Sequence, residues 1–539
     1  MKNLSMAFAL LMSIGLTSFD VLAKTVVDFP YYDFNNSKAL DIRRVETDGD
    51  SVTIYADLYS RPDSWVKIAS TAYIKGNHSG KNLPIAACEG LELDKETYPG
   101  STGRIPFVMK FGALAPEDDS FDFAEADTPG AFRVNGISLE MPLTAGNVIC
   151  HLEGEVTDSS LSRMIVTEAD EDFRTVSHFV SIPVTDGHFS YDFYADKDTY
   201  YTLYPYHQII NGSWREAPFF AYDGTVNFFV AGQDDNDVPY PRVISDHPDQ
   251  KLLGEWQARR QDRYDYLSSV AVGIGQENMF TPEGRDLRKQ IGESEGDERR
   301  ALMEKLYSGD YFSEEYKAFQ ALSDSILNVL RDEELASFAA HPSLLALTRI
   351  NENLSKHVPE ESRAKYAHLY DSLLADYRPD YYMHEKIRRR LRSELLDAGK
   401  PYIDYEITAA DGNKVKYSDL AGGKVTLVDL WASWCGPCRR LSMSYIPVYE
   451  KFKDDGLNVI SIARESDAAS MAKAVAADGY PWQTYLELSD ENKIWEKHGA
   501  GNSGGTSFLI DKDGTILLVH PTAEELDQTL SILKQQGKL

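Results

Sequence analysis

The run Val425-Thr-Leu-Val-Asp-Leu-Trp-Ala-Ser-Trp-Cys-Gly-Pro-Cys-Arg-Arg440 constrains this chain more than any other stretch. From Val425 to Trp431 every residue except Asp429 is apolar or β-branched, the pattern of a strand buried on both faces. The residues after Pro437 read as a helix, with the proline in the first turn, where a missing N–H costs nothing. Cys435 and Cys438 therefore stand at a strand-to-helix junction.

Two cysteines two residues apart, the first at a helix N-terminus, can close a small disulfide. The exposed amides and the helix dipole would stabilise a thiolate on Cys435. Gly436 lets a partner backbone approach closely. Three other readings of the pair are weaker. Zinc needs two more ligands, and no second Cys-x-x-Cys or Cys-x-x-His is present. Covalent haem needs His after Cys438, where Arg439 stands. A purely structural disulfide closing so short a loop would restrict the unfolded chain little.

Along the strand Val425, Leu427, Asp429 and Trp431 share one face. A carboxylate on a buried face costs several kcal/mol unless it is paired or protonated. Desolvation would raise its pKa, which suits a proton carrier beside a thiol. The alternative is an Asp at a strand edge bonded to backbone.

The run from Val428 to Arg439 resembles the active-site signature of thioredoxins, and more narrowly of the TlpA-like disulfide reductases of the bacterial envelope. The resemblance covers about the last quarter of the chain, from near Gly399. It implies a thioredoxin-like α/β fold, with Cys435 as the attacking nucleophile, Cys438 as the resolving thiol and Asp429 as the acid that manages its proton. It also implies a substrate-facing surface made by Trp434, Gly436, Pro437, Gly505 and Thr506. The redox-active Cys435–Cys438 disulfide is then the whole redox apparatus, with no bound cofactor and no metal.

Three positions depart from that pattern. Where the family carries a cis-proline before the strand facing the dithiol, this chain has Gly505 in Gly505-Thr-Ser-Phe-Leu-Ile-Asp511. A cis bond before a non-proline costs about 3–4 kcal/mol, so the Gly504–Gly505 peptide is expected to be trans and its loop looser than in relatives. Leu441 replaces an acid often found three residues after the second cysteine. Met443 replaces a helix proline, with Pro447 one turn later.

At 539 residues the chain should form about three or four domains. Residues 1–23 read as a secretory signal peptide: Lys2, an apolar stretch from Met6 to Phe19, and Val21-Leu22-Ala23 before the cleavage point. The stretch is too short and too interrupted for a transmembrane anchor, so an exported, periplasmic or secreted protein is expected. Only four cysteines mean cores that rest on apolar burial. Cys88 and Cys150 could pair or remain buried thiols. A net charge of −30 argues against nucleic-acid and anionic-lipid partners.

Alternating runs and Asp-Gly turns predict a β-sandwich-like module over 39–142 and a second β module over 143–248. Glu117-Asp118-Asp119 reads as a solvated loop. The tyrosines 200, 201, 204 and 206 fit either a binding face or core packing. An α-helical connector is expected over 249–398, with helix starts at Thr281-Pro282 and Val358-Pro359. Its buried face would carry Tyr316, Phe319, Leu322, Ile326 and Leu330, and Arg388-Arg389-Arg390 would be solvated. Residues 399–539 complete the architecture as the thioredoxin-like domain.

The expected activity is thiol–disulfide exchange, in the direction of protein-disulfide reduction. Its expected partners are disulfide-containing envelope proteins and an upstream thiol electron donor. The competing expectation is an envelope ligand-binding protein with a redox-tuned or vestigial thioredoxin domain. Peroxide reduction fits less well, because Val428 and Ala432 occupy the Pro and Thr/Ser positions of the peroxide-reducing pattern. Gly499 to Gly505 lacks the Lys-Ser/Thr ending of a phosphate loop.

Overall fold

The computed structural model describes residues 25–539 apart from 129, 170, 177, 207–215, 232–240, 295, 355–357, 394–395, 409–412 and 503. The expected signal peptide and the Asp411-Gly412 turn lie outside the described residues. The chain divides into two compact units. The first runs through Ala145 and includes Ser159–Ser162; the second holds Gly146–Asp158 and Arg163–Leu539.

The first unit is a continuous nine-stranded antiparallel sheet wrapped on a single core that includes Leu40, Ile54, Phe107, Phe111, Phe121 and Phe123. It begins earlier than residue 39, because Thr25–Asp28 pairs antiparallel with Arg44–Thr47. The sheet is continuous because Asn82–Glu89 pairs with a strand on each side and shifts register between Ile85 and Ala87. Asp118 is not solvated: it is buried and accepts N–H bonds from His78, Ser79 and Ala115, bracing its loop.

In the second unit, two four-stranded sheets form a sandwich. Most of the helices after it do not stand apart as a connector, although Pro282–Glu293 and Gly296–Leu306 pack on a small core of their own with Phe280 and Phe312. Leu253, Phe338, Leu345, Tyr366 and Met383 share one core with Tyr200 and Phe220 of the sandwich. Apolar surface on one face of each element makes that the lower-energy arrangement. Thr281 caps the helix Pro282–Glu293 by accepting the Gly284 N–H, and Pro359 stands at the N-cap position of Glu360–Leu369 without a side-chain cap bond. Of the face expected to be buried on Glu314–Ala340, only Leu330 is fully so. Arg389 is not solvated either; it pairs with Glu385 and, at 3.0 Å, with Glu496 of the C-terminal domain.

The C-terminal domain is a seven-stranded mixed sheet with helices on its faces. Its strands are β1 (Glu406–Thr408), β2 (Lys414–Lys416), β3 (Val425–Trp431), β4 (Leu457–Glu465), β5 (Thr484–Leu488), β6 (Thr506–Asp511) and β7 (Ile516–Val519), in the order β2-β1-β5-β4-β3-β6-β7. Helices α1 (Gly436–Phe452), α2 (Ala468–Asp478) and α3 (Ala523–Gln535) flank it. All seven residues of β3 are buried, because the strand lies between parallel β4 and antiparallel β6 with side chains packed on both faces. Thr484–Leu488 is a strand that the sequence pattern does not signal. Among the described residues, no helix is long and apolar enough to cross a membrane.

Candidate active site

The end of β3 delivers the chain into α1 through a tight turn, in which Cys435 N–H donates to Ala432 O at 3.0 Å. Cys435 is the N-cap of α1, and its Sγ accepts the Cys438 N–H at 3.3 Å. An N-cap normally accepts through oxygen. Here sulfur takes that place, so the helix amide that would stabilise a Cys435 thiolate is already aimed at it. Cys435 and Cys438 are joined as a disulfide, with their Cα atoms 5.3 Å apart. Cys435 is only 5% exposed, whereas Cys438 is half-buried, and Gly436 and Pro437 are exposed between them.

Asp429 is 3% exposed on the face of β3 that meets α1. Burial pushes its carboxyl up to about 7, against one hydrogen bond from Ser442 that favours the charged form. Ser442 Oγ, on α1, lies 2.6 Å from Asp429 Oδ2 and 3.1 Å from Cys438 O, so its single proton serves two acceptors. The hydroxyl thereby ties the acid to the turn that carries the second cysteine.

Gly505 is where the structure corrects the expectation of a loose loop. Its peptide is trans, but its N–H donates to Cys438 Sγ at 3.1 Å. A Cβ built on it would lie 1.8 Å from Leu430 O and 2.8 Å from Leu430 C. The glycine is required because the loop closes directly onto backbone at the end of β3. Thr506 begins β6 beside it, half-buried and opposite Leu430.

Residues 398–519 match the AhpC/TSA family. The thiol-disulfide oxidoreductase ResA of Bacillus thuringiensis is 30% identical over 138 residues, which is 25% of this chain and 77% of that protein. A thioredoxin of Coprinus comatus is 38% identical over 96 residues, 17% of this chain and 81% of that protein. The chain belongs to the thioredoxin-like thiol–disulfide oxidoreductases. A solved thioredoxin domain of a thiol-disulfide oxidoreductase from Bacteroides vulgatus is 24% identical and covers 26% of this chain and 98% of that one, with a TM-score of 0.24.

Several residues of this oxidoreductase site escape the motif. Glu465, at the end of β4, is 1% exposed and accepts both the N–H and the hydroxyl of Ser433, the latter at 2.8 Å. Burial pushes it up to about 6, opposed by those two bonds. Arg439 holds the other side of the same turn: it donates to Ser433 O at 3.3 Å while its fork grips Asp478 at 2.6 and 2.7 Å. The turn before Cys435 is thus fixed by one acid and one cation. The sequence hint of Glu465 is an acid at the end of an apolar strand run. Ser442 has none, since a serine inside a helix is ordinary.

Trp434, the flanking aromatic, packs against Trp495 with centroids 5.8 Å apart. The guanidinium of Arg174, from the second β module, lies 3.7 Å from the centre of its ring. Cys88 and Cys150 are both free thiols, and burial pushes Cys150 up to about 11, far from the reactive range.

Proposed function

We propose that this oxidoreductase reduces disulfides of protein substrates through Cys435 and Cys438. The Cys435 thiolate attacks one sulfur of the substrate disulfide; a mixed disulfide forms, the substrate bond breaks, and the departing thiolate takes a proton from water. Cys438 then passes its proton to the Asp429 carboxylate and attacks Cys435 Sγ. The enzyme disulfide closes and the substrate leaves with two electrons gained. A thiol donor must return the pair to the dithiol.

The observation that carries this reading is the coupling of a buried acid poised near pH 7 to the Cys438 turn through Ser442. A vestigial domain would have no reason to retain a buried carboxyl with one hydrogen-bond donor. Val428 and Ala432, both buried, offer nothing to orient a peroxide. The motif's resemblance and the reading of residues 1–23 as a signal peptide support action in the cell envelope, most simply the periplasm.

Reduction of insulin disulfides by single Cys→Ser variants tests the assignment. Cys435→Ser and Cys438→Ser should abolish turnover, and Cys438→Ser should trap substrate covalently on Cys435. Equal loss in a folded Cys88→Ser or Cys150→Ser variant would overturn it.

A further inference from the structure

Beside the dithiol, the second β module contributes a loop that grips the thioredoxin-like domain. The Asp172 side chain is fully buried and holds the Arg174 fork, Nε at 2.9 Å and Nη2 at 2.6 Å. Arg174 lies over Trp434 and also donates to the carbonyl of Asn502, three residues before Gly505. One residue on, Thr175 Oγ1 donates to Asp490 Oδ2 at 3.1 Å, and Asp490 is held in turn by Arg464. One short loop therefore touches the aromatic before Cys435 and the segment leading to the Gly505 N–H that meets Cys438.

Alongside this loop opens a cleft of about 570 Å³. Arg174, which covers Trp434, and Asn502 line it, together with Tyr200, Tyr204, Trp256 and Gln257. The cleft is stiff. Trp256 has guanidinium groups of Arg260 and Arg349 at 4.0 and 4.2 Å from its ring centre, and Arg349 is anchored on Glu334 at 2.9 Å. Its volume lies within the roughly 300–1,000 Å³ of ligand pockets, enough for a few residues of extended chain. Its lining sets the rings of Tyr200, Tyr204 and Trp256 among charged side chains that include Glu171, Glu216 and Glu352, and a polypeptide, which brings apolar side chains together with backbone N–H donors, can meet both.

We propose that this cleft binds the polypeptide segment flanking the substrate's disulfide, and that Arg174 is the positioning residue joining it to the dithiol. The proposal rests on the protein-disulfide reading above and names where the chain around the disulfide is held. Two observations favour it. Cys435 is almost covered and the Gly505 N–H is already used by Cys438, so the surface next to the dithiol offers a bulky substrate little purchase. Arg174 and Asn502 belong to both places, so a chain in the cleft bears directly on Trp434 and on the Gly505 loop. The second β module thereby becomes part of the substrate site, and small disulfides that need no such support bypass it.

Two measurements test this on the full-length protein. In kinetics, Arg174→Ala and the cleft-filling Gln257→Trp should raise KM for insulin by about tenfold while kcat changes less than about twofold. The rise for a small aromatic disulfide should be much smaller. Arg174→Lys should fall between, since it keeps the charge but loses the fork. In binding, a Cys435→Ser/Cys438→Ser background should bind S-carboxymethylated insulin B chain saturably, followed by tryptophan fluorescence, and Gln257→Trp should abolish that binding. Gln257 is exposed, so its variant carries the test if Arg174→Ala loosens the fold. Equal KM increases for insulin and the small disulfide, or B-chain binding untouched by Gln257→Trp, overturn the proposal. If the wild type reduces neither substrate yet the double-serine protein binds B chain in a Gln257-dependent way, the cleft stands and the reductase reading falls.

Discussion

Replacing Asp429 by asparagine separates the two consequences of burying that carboxyl. Burial pushes the native carboxyl up to about 7 from an ordinary 3.8. A group raised in the folded state contributes its stability fully below the unfolded value and loses it as pH rises through the folded one. The native protein holds a proton here that the unfolded chain releases, so stability should fall between about pH 4 and pH 7. At about 1.4 kcal/mol per pH unit the full loss is about 4 kcal/mol, of which about 3 kcal/mol falls above pH 5. The amide introduced by Asp429→Asn has nearly the same shape, can accept the Ser442 hydroxyl proton and does not ionise. The variant's stability relative to wild type should therefore grow by about 3 kcal/mol between pH 5 and pH 8. Urea unfolding of the oxidised proteins at several pH values, read by tryptophan fluorescence, measures this. The same substitution should slow insulin reduction on the order of tenfold to a hundredfold by removing the proton acceptor. A stability difference that stays flat from pH 5 to pH 8 would refute the buried, raised carboxyl and the proton-carrier role built on it.

Ser442→Ala removes the one hydrogen bond that favours ionised Asp429, so the midpoint of the pH–rate profile for insulin reduction should move upward; an unmoved or lowered midpoint would break the link between the two residues. Gly505→Ala forces a methyl group against Leu430 O and should cost about 1–3 kcal/mol or more. An unchanged thermal midpoint would contradict the tight closure. Gly505→Pro should be no better tolerated, the reverse of what a loose loop would allow.

The strand-turn-helix carrying the dithiol is legible in the sequence because its determinants are local. A seven-residue run suited, but for Asp429, to a doubly buried strand, a proline suited to a helix start and two cysteines one turn apart leave little else for the chain to do. The same locality makes Asp429 conspicuous: period-two alternation alone sets it on a buried face. The Thr281 helix start follows from cap chemistry in the same way, and the Pro359 start from the fixed backbone angle of proline.

Tertiary structure decided what depends on residues far apart in the chain. Gly505 looks like freedom in the sequence, yet in the fold it is the absence of a Cβ that lets a loop close on Leu430. Ser442 and Glu465 acquire roles only because α1 and β4 bring them to Asp429 and Ser433. The helices between the modules look like a connector, but the apolar faces of most of them complete the core of the second sandwich. Arg174 carries no sequence signal at all, since the ring it covers belongs to another module. Backbone propensity and hydrophobic period are properties of neighbours in sequence, whereas close approach, shared protons and charge-on-ring contacts are properties of neighbours in space.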